Sequence, residues 1–288
     1  MINTRREVLK QVAAISGIGL LSPLPNVLAQ NTQSLKGNIH HSVCRWTYDY
    51  LPLQNLCTTV KSLGFSAIDL VGPKEWDVLK ANDITCSMCN GAEINLVDGF
   101  IHPEHHGTLV KNYTEIIPLV AKAGYTNLIC FSGNKRGMDA ETGLQNAVIA
   151  LQKLLPLAEK HKVVLQMELF NSKVNHPDYM ADNSAWGIEL CKRLNSPSFK
   201  LLYDIYHMQI MEGNIIETIT KNHVYFGHYH TAGVPGRHEI NELQELNYPA
   251  IMKAIVATDY TGFVAQEFIP TQTNKITSLE QAIRLCDV

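Results

Sequence analysis

Glutamate, aspartate and histidine follow directly on four successive apolar runs in the second half of the chain. These runs end in Gln166-Met167-Glu168, Leu202-Tyr203-Asp204, His228-Tyr229-His230 and Ala265-Gln266-Glu267. Carboxylates with one imidazole suit a hard divalent cation, with Mn2+ or Mg2+ first and Co2+ or Zn2+ as alternatives. Three buried carboxylates would be very costly without such a cation. We therefore predict one divalent metal ion, held by Glu168, Asp204, His230 and Glu267.

Helix capping is the alternative role for a carboxylate at a strand end, and a lone histidine is more often packed than bound to a metal. Four independent caps at four successive strand ends would be a coincidence. One shared site explains all four positions, and we prefer it for that reason.

Other polar residues stand close to these ends. His207 lies one short turn beyond the sixth run, and Arg237 stands in the loop after the seventh. The planar fork of an arginine could clamp a substrate carboxylate or hydroxyl groups. We predict His207, Arg237 and Asn171 as substrate-binding residues, with Asn90 as a weaker candidate. A surface ion pair for Arg237 and a capping or core position for His207 are the alternatives.

Aromatic and histidine side chains give weaker signals. Trp46, Phe131 and Trp186 could form apolar walls of a site, although we expect two of the three to belong to the core. A histidine trio in the long loop after the third strand fits no metal motif. We expect a solvated loop for these residues, which are His102, His105 and His106.

The chain has seven cysteines, an odd number, scattered along its length. This favours no disulfide framework in a chain with a large core. Cys86 and Cys89 look like half of a zinc site, but residues three apart on a strand face opposite sides, and no second pair follows. We therefore expect no zinc site there.

Short apolar runs alternate with helical patterns along the whole chain after residue 30. Eight such units, with continuous apolar runs typical of parallel strands buried on both faces, predict one (β/α)8 TIM barrel over residues 30–288. An open doubly wound sheet is the alternative, but no Gly-x-Gly-x-x-Gly follows the first strand. Two of the expected helices span Ala140 to Lys160 and Ile215 to Thr220.

Residues 1–29 have the order of an export signal. Arg5 and Arg6 precede an apolar run from Val12 to Leu21, and small residues lead to Ala29. The Thr-Arg-Arg-x-Val-Leu-Lys string is similar to a twin-arginine signal. We predict a periplasmic or otherwise exported protein. The apolar run is too short to span a bilayer, which needs about 20 residues, so no membrane contact is expected after cleavage.

The formal net charge is −3 at pH 7, and no basic block interrupts the sequence. An acidic chain of this kind is a poor binder of nucleic acid or of anionic membranes. We predict a small, sugar-like molecule as the partner. A homo-oligomer is compatible with the sequence.

At its strand ends the sequence resembles the xylose isomerase-like barrel superfamily, and within it the hydroxypyruvate isomerase and ketose 3-epimerase group. The resemblance implies that Glu168, Asp204, His230 and Glu267 bind the metal and that Glu168 and Glu267 transfer protons. It also implies substrate-binding roles for His207 and Arg237. The strings that carry it are Met167-Glu168-Leu169-Phe170-Asn171, Tyr203-Asp204-Ile205-Tyr206-His207-Met208-Gln209, Gly227-His228-Tyr229-His230, Pro235-Gly236-Arg237-His238-Glu239 and Gln266-Glu267-Phe268.

The resemblance implies a metal-dependent isomerase or epimerase of a hydroxy-carbonyl substrate, acting through a cis-enediolate. A dehydratase or lyase on an oxidised sugar or glycoside is one alternative, and a non-catalytic sugar-binding barrel is another. An endonuclease IV-like phosphodiesterase would need a multi-zinc cluster with more histidines and a basic face, and the sequence has neither.

Overall fold

Eight parallel strands pair in chain order and close into a barrel in the computed structural model, which describes residues 34–288. The strands are β1 (His40–Cys44), β2 (Ala67–Val71), β3 (Thr85–Cys89), β4 (Asn127–Cys130), β5 (Val164–Glu168), β6 (Phe199–Asp204), β7 (Phe226–Thr231) and β8 (Phe263–Gln266). The predicted single TIM barrel is confirmed. The predicted signal, residues 1–29, lies outside the described residues and stays a prediction.

Helices cover the outside of the barrel. They are α1 (Leu53–Leu63), α2 (Trp76–Ala81), α3 (His106–Ala123), α4 (Ala140–Leu151), α5 (Leu155–His161), α6 (Ser184–Leu194), α7 (Ile205–Met211), α8 (Ile215–Asn222), α9 (Tyr248–Val256) and α10 (Lys275–Cys286). None of the helices in this part of the chain is long and apolar enough to cross a bilayer.

The single helix expected from Ala140 to Lys160 is wrong, because the chain forms α4 and α5 there. Pro156 lies in the first turn of α5. A proline has no N–H to donate to the preceding turn and its ring clashes with that turn, so it starts a helix more readily than it continues one. The sequence analysis also missed α7, which begins where the Asp204 side chain accepts a hydrogen bond from the backbone N–H of His207.

Helix α1 illustrates how the outer layer is held to the sheet. Its buried side chains are spaced three and four residues apart, which places them on one face: Leu53, Leu56, Cys57 and Val60. Burial of each large apolar side chain contributes roughly 1.5–3 kcal/mol. The helix ends at Gly64, whose φ of 99° is a left-handed conformation that glycine adopts without steric cost.

The loop between β3 and α3 docks on the end of β4. Backbone N–H groups of Phe100 and Ile101 donate to the carbonyl oxygens of Phe131 and Ser132 at 3.1 and 3.0 Å. The approach is so close that a Cβ on Gly99 would lie 2.4 Å from the Phe131 carbonyl oxygen. Glycine is therefore required at position 99, and the docking fixes this loop above the barrel mouth.

The expectation that Cys86 and Cys89 face opposite sides is wrong. Their sulfur atoms lie 3.6 Å apart. Strand β3 shifts its register against β2 between Ile68 and Asp69, so the strict alternation of side chains fails at this point. All seven cysteines are free and buried.

Candidate active site

The four predicted metal ligands converge at the carboxyl end of the barrel. One ligating atom from each of Glu168, Asp204, His230 and Glu267 lies within 4.8 Å of the other three. His230 Nδ1 is 2.9 Å from Glu267 Oε2 and 3.0 Å from Glu168 Oε1. Asp204 and His230 are in register on neighbouring strands, which explains why two residues distant in sequence meet here.

Two carboxylate oxygens in this cluster, Glu168 Oε1 and Asp204 Oδ2, are buried without a hydrogen-bond partner. An unsatisfied buried acceptor costs about 1–3 kcal/mol, and more if it is charged. A divalent cation among the four side chains would satisfy both oxygens. Hard oxygen donors with one imidazole match Mn2+ or Mg2+, so the residues present fit such an ion.

The three carboxyl groups differ in their electrostatic surroundings. Burial, followed by the charge of Glu267, raises the pKa of Glu168 to about 7 and also raises the pKa of Asp204. Burial acts in the same direction on Glu267, but Arg237 and His230 outweigh it and hold the pKa of Glu267 well below its ordinary value. Added positive charge would favour the ionised form of all three groups.

A buried aspartate that the sequence analysis missed lies beneath the cluster. Asp69 Oδ2 is 2.7 Å from His230 Nε2 and 2.9 Å from His228 Nε2, and Ser87 donates to Oδ1 at 3.1 Å. Asp69 thus accepts from the nitrogen of His230 that faces away from the other carboxylates. An acidic residue inside the apolar run Ala67–Val71 was the available signal, because a charge in a buried strand needs a partner.

Asn171 fixes the orientation of the His207 ring. Asn171 Oδ1 accepts from the backbone N–H groups of Val174 and Asn175, so its NH2 group faces His207 Nδ1 at 2.6 Å. Burial, followed by the charge of Arg237, holds the pKa of His207 well below its usual range, and the neutral ring then carries its proton on Nε2. That nitrogen lies 3.6 Å from Asp204 Oδ2.

Asn171 itself is fully buried behind His207. Its predicted contact with a substrate stays a prediction, and its observed contacts are those of a residue that orients another side chain.

Arg237 lies against the second glutamate of the cluster. Its Nη2 is 2.5 Å from Glu267 Oε2, and its guanidinium lies 5.1 Å from the ring centre of Trp46 and 5.8 Å from that of Tyr206. Trp46 Nε1 donates to Glu267 Oε1 at 2.9 Å. The surface ion pair considered as an alternative for Arg237 does not occur, because the side chain is only 11% exposed.

The loop that carries Arg237 is anchored by Glu239. This carboxylate accepts from the backbone N–H and the hydroxyl of Thr271 at 2.6 and 2.8 Å and from the Ser278 hydroxyl at 2.8 Å. The Arg237 carbonyl oxygen also accepts from the Ile269 N–H. The loop after β7 is thereby held to the segment between β8 and α10 and to α10 itself.

A cavity of about 500 Å3 opens above Glu168 and Glu267. Its wall contains Trp46, Phe131 and Asn90, as well as Phe170 and His176, whose rings are stacked with centroids 4.0 Å apart. Trp186 is instead a core residue whose Nε1 donates to the Ala140 carbonyl oxygen. Phe131 and Trp186 are both buried in the core, as expected for two of the three aromatic candidates, and Phe131 also lines the cavity together with the exposed Trp46.

The histidine trio after β3 is largely buried, so the expectation of a solvated loop is wrong. His102 accepts from the Gly99 N–H through Nδ1 and lies 2.8 Å from the Asn134 carbonyl oxygen through Nε2. His106 Nε2 is 2.8 Å from the Phe100 carbonyl oxygen. These contacts stabilise the loop.

A closed eight-stranded barrel with three carboxylates and a histidine at the carboxyl ends of its strands defines the class of this protein. The xylose isomerase-like TIM barrel family matches residues 58–287. The chain therefore belongs to that family.

The chain is similar to several curated isomerases over part of their length. It is 34% identical over 112 residues to a putative hydroxypyruvate isomerase of Danio rerio, covering 39% of this chain and 41% of that protein. It is 30% identical over 138 residues to a 2-oxo-tetronate isomerase of Pectobacterium atrosepticum, covering 48% and 50%. The chain thus spans about half the length of the curated relatives that it matches, or less.

Solved structures resemble the whole barrel. An AP endonuclease, family 2, from Brucella melitensis has a TM-score of 0.74 at 22% identity and covers 82% of this chain and 95% of its own. A 3-keto-D-glucoside 4-epimerase from E. coli has a TM-score of 0.72 at 17% identity and covers 86% and 100%. At these identities the likeness establishes the fold.

Proposed function

We propose that this protein is a divalent-metal-dependent isomerase or epimerase of a small, sugar-like hydroxy-carbonyl substrate. The observation that carries the proposal is the position of Glu168 and Glu267. Both belong to the four-residue cluster with unpaired carboxylate oxygens, and both line the cavity. The partial similarity to hydroxypyruvate and 2-oxo-tetronate isomerases supports the same class.

Glu168, Asp204, His230 and Glu267 would hold the ion, with Mn2+ or Mg2+ as our first choices. A bound divalent cation polarises a carbonyl group and acidifies the neighbouring C–H. One of the two glutamates would remove that proton, and the same or the other glutamate would return it. Return to the neighbouring carbon, with the hydroxyl proton passing to the former carbonyl oxygen, gives an isomer, whereas return to the opposite face of the same carbon gives an epimer.

Two side chains would assist this proton transfer. His207 does not line the cavity, so its contact with the substrate stays a prediction, but its Nε2–H lies 3.6 Å from Asp204 Oδ2 and would orient that ligand, because Asn171 occupies the other ring nitrogen. Arg237 keeps Glu267 ionised, since its guanidinium contacts Oε2 directly. Proton transfer by a positioned side chain typically contributes about 100- to 10,000-fold.

The test is exchange of substrate C–H with solvent deuterium, followed by NMR. Chelator-treated protein should be inactive, and added Mn2+ or Mg2+ should restore exchange and product formation. If the protein binds metal but exchanges no C–H of ketoses, keto-glycosides or hydroxypyruvate with solvent, the proposal is wrong and a sugar-binding barrel is favoured. A product that has lost water would instead identify the dehydratase alternative.

We also propose that the protein works outside the cytoplasm, on the strength of the signal pattern in residues 1–29.

A further inference from the structure

The cavity is larger than a three-carbon substrate requires. Its volume of about 500 Å3 lies within the range of about 300–1,000 Å3 that holds drug-sized ligands. In the proposed function, the reacting carbonyl and hydroxyl groups sit at its floor, next to Glu168 and Glu267. The remaining volume extends away from the chemistry, and its lining can therefore identify the rest of the substrate.

The charges of the lining disfavour an anionic substrate. Among the described residues that line the cavity, the only lysine or arginine is Arg237, whereas Glu93, Glu168 and Glu267 are acidic. Arg237 already contacts Glu267 at 2.5 Å. His176 adds no charge at neutral pH, because burial lowers its pKa to about 4. A buried substrate carboxylate or phosphate would need a charge-assisted partner. Apart from the proposed divalent ion, which the reacting carbonyl and hydroxyl oxygens would occupy, the wall offers no such partner that is not already paired.

Much of the cavity wall is apolar. Ile94 and Leu96, in the loop after β3, line it together with Phe131 and with the strand residues Leu70 and Ile129. The Phe131 ring stacks on Phe170, at 5.7 Å between centroids and 21° between planes, and forms a flat surface. Such a wall binds C–H faces and apolar substituents through loss of water-exposed apolar area. Asn90, which also lines the cavity, offers a donor and an acceptor to hydroxyl groups.

We propose, resting on the proposed function, that the substrate is an uncharged keto-sugar with an apolar group at the end remote from the two glutamates, such as an alkyl or aryl keto-glycoside. The sugar carbonyl and its neighbouring hydroxyl lie at the cavity floor. The apolar group lies against Leu96 and Phe131. Hydroxypyruvate, a three-carbon acid, would leave most of the cavity unfilled and would bring its carboxylate close to three acidic side chains.

Binding of three probes to the Mn2+-loaded protein tests the proposal by calorimetry: phenyl 3-keto-glucoside, methyl 3-keto-glucoside and hydroxypyruvate. We expect the phenyl compound to bind at least about ten-fold more tightly than the methyl compound, as one apolar group in an apolar pocket typically contributes. Hydroxypyruvate should bind most weakly.

Two variants of Leu96 and a matched control test whether this residue causes the preference for the phenyl compound. Leu96→Ala should bring the affinities of the phenyl and methyl compounds close to each other. Leu96→Lys should improve hydroxypyruvate binding, because it supplies the missing cation. Val97→Ala is the control, since Val97 is the next residue in the same loop, is 42% exposed and is not among the described lining residues. Val97→Ala should leave the order of the three affinities unchanged.

Hydroxypyruvate binding as tightly as either keto-glucoside would overturn the inference, as would equal binding of the two keto-glucosides to the unmodified protein. Deuterium exchange, measured on the same samples, separates this inference from the proposed function. Tight binding of the phenyl compound with no exchange in any of the three probes counts against the catalytic proposal and supports the specificity. Exchange confined to hydroxypyruvate supports the catalytic proposal and refutes the specificity.

Discussion

Asp69 Oδ2 lies 2.7 Å from His230 Nε2, and both side chains are fully buried. The contact determines which nitrogen of His230 faces Glu168 and Glu267. A carboxylate in this position orients a histidine ligand and increases its basicity. Asp69 does not line the cavity, so it would act on the metal through His230.

Asp69→Asn should therefore weaken metal binding by about 10- to 100-fold, as loss of a carboxylate behind a histidine ligand typically does. Calorimetric titration of the chelator-treated protein with Mn2+ measures this. Asp83→Asn is a suitable control, because Asp83 lies on the surface with 93% of its side chain exposed. A lower melting temperature with an unchanged Kd would reduce Asp69 to a purely structural residue.

Substitution of the cluster residues should separate metal binding from proton transfer. Asp204→Asn should mainly weaken metal binding. Glu168→Gln and Glu267→Gln should keep part of the metal affinity, because an amide oxygen can coordinate, but should lose about 100-fold or more in turnover at saturating metal. Glu168→Gln is the cleaner variant, since Glu267 also pairs with Trp46 and Arg237. Near-full activity of both Gln variants at saturating metal would rule out proton transfer by these glutamates.

His41 should make the fold less stable in mild acid. Its ring is buried in β1, with no hydrogen-bond partner on either nitrogen among the described residues. Burial lowers the pKa of His41 to about 4, more than Asp287 raises it. The unfolded chain takes up this proton near pH 6.5. The neutral His41 ring therefore makes its full contribution to the free energy of unfolding above pH 6.5. This contribution is lost as the pH falls toward 4.

The loss attributable to His41 between pH 7 and pH 4 should be about 3 kcal/mol of unfolding free energy. Denaturant unfolding across this range should show a shallower pH dependence for His41→Leu than for the unmodified protein. Ile149→Leu, at a position that is 52% exposed and has no titratable group, should retain the original dependence. Equal slopes for the unmodified protein and His41→Leu would contradict this assignment.

Export is testable through the paired arginines. The full-length chain should be processed near Gln30 and recovered outside the cytoplasm, whereas replacement of Arg5 and Arg6 by lysine should retain it inside. Fractionation followed by N-terminal sequencing measures both. Unchanged export of the double variant would exclude the twin-arginine route.

The barrel and the convergence of its strand ends were predictable because parallel topology brings all carboxyl ends to one face. Glu168, Asp204, His230 and Glu267 follow apolar runs, so their positions needed no knowledge of register. Arg237 lies in a loop, and its contact with Glu267 depends on how Glu239 anchors that loop. No periodicity in the sequence encodes such an anchor.

Other features depend on contacts between distant segments. The partners of Asp69 lie about 160 positions away, on β7, and only the closed barrel brings them together. The contact between Cys86 and Cys89 depends on a shift in register, which strand alternation does not predict. The break before Pro156 was visible in the sequence, but the apolar pattern continued across it.

Strand pairing is uneven around the barrel. Strands β3 and β4 are in register at Cys89 and Leu128 alone, whereas each neighbouring pair from β5 to β8 is matched over several residues. The loop after β3 supplies Asn90 and Leu96 to the cavity wall, and β5 to β8 carry the residues of the cluster. The wall of the cavity and the reacting groups are thus carried by separate parts of the barrel, so the loop after β3 could be replaced by design without moving the cluster.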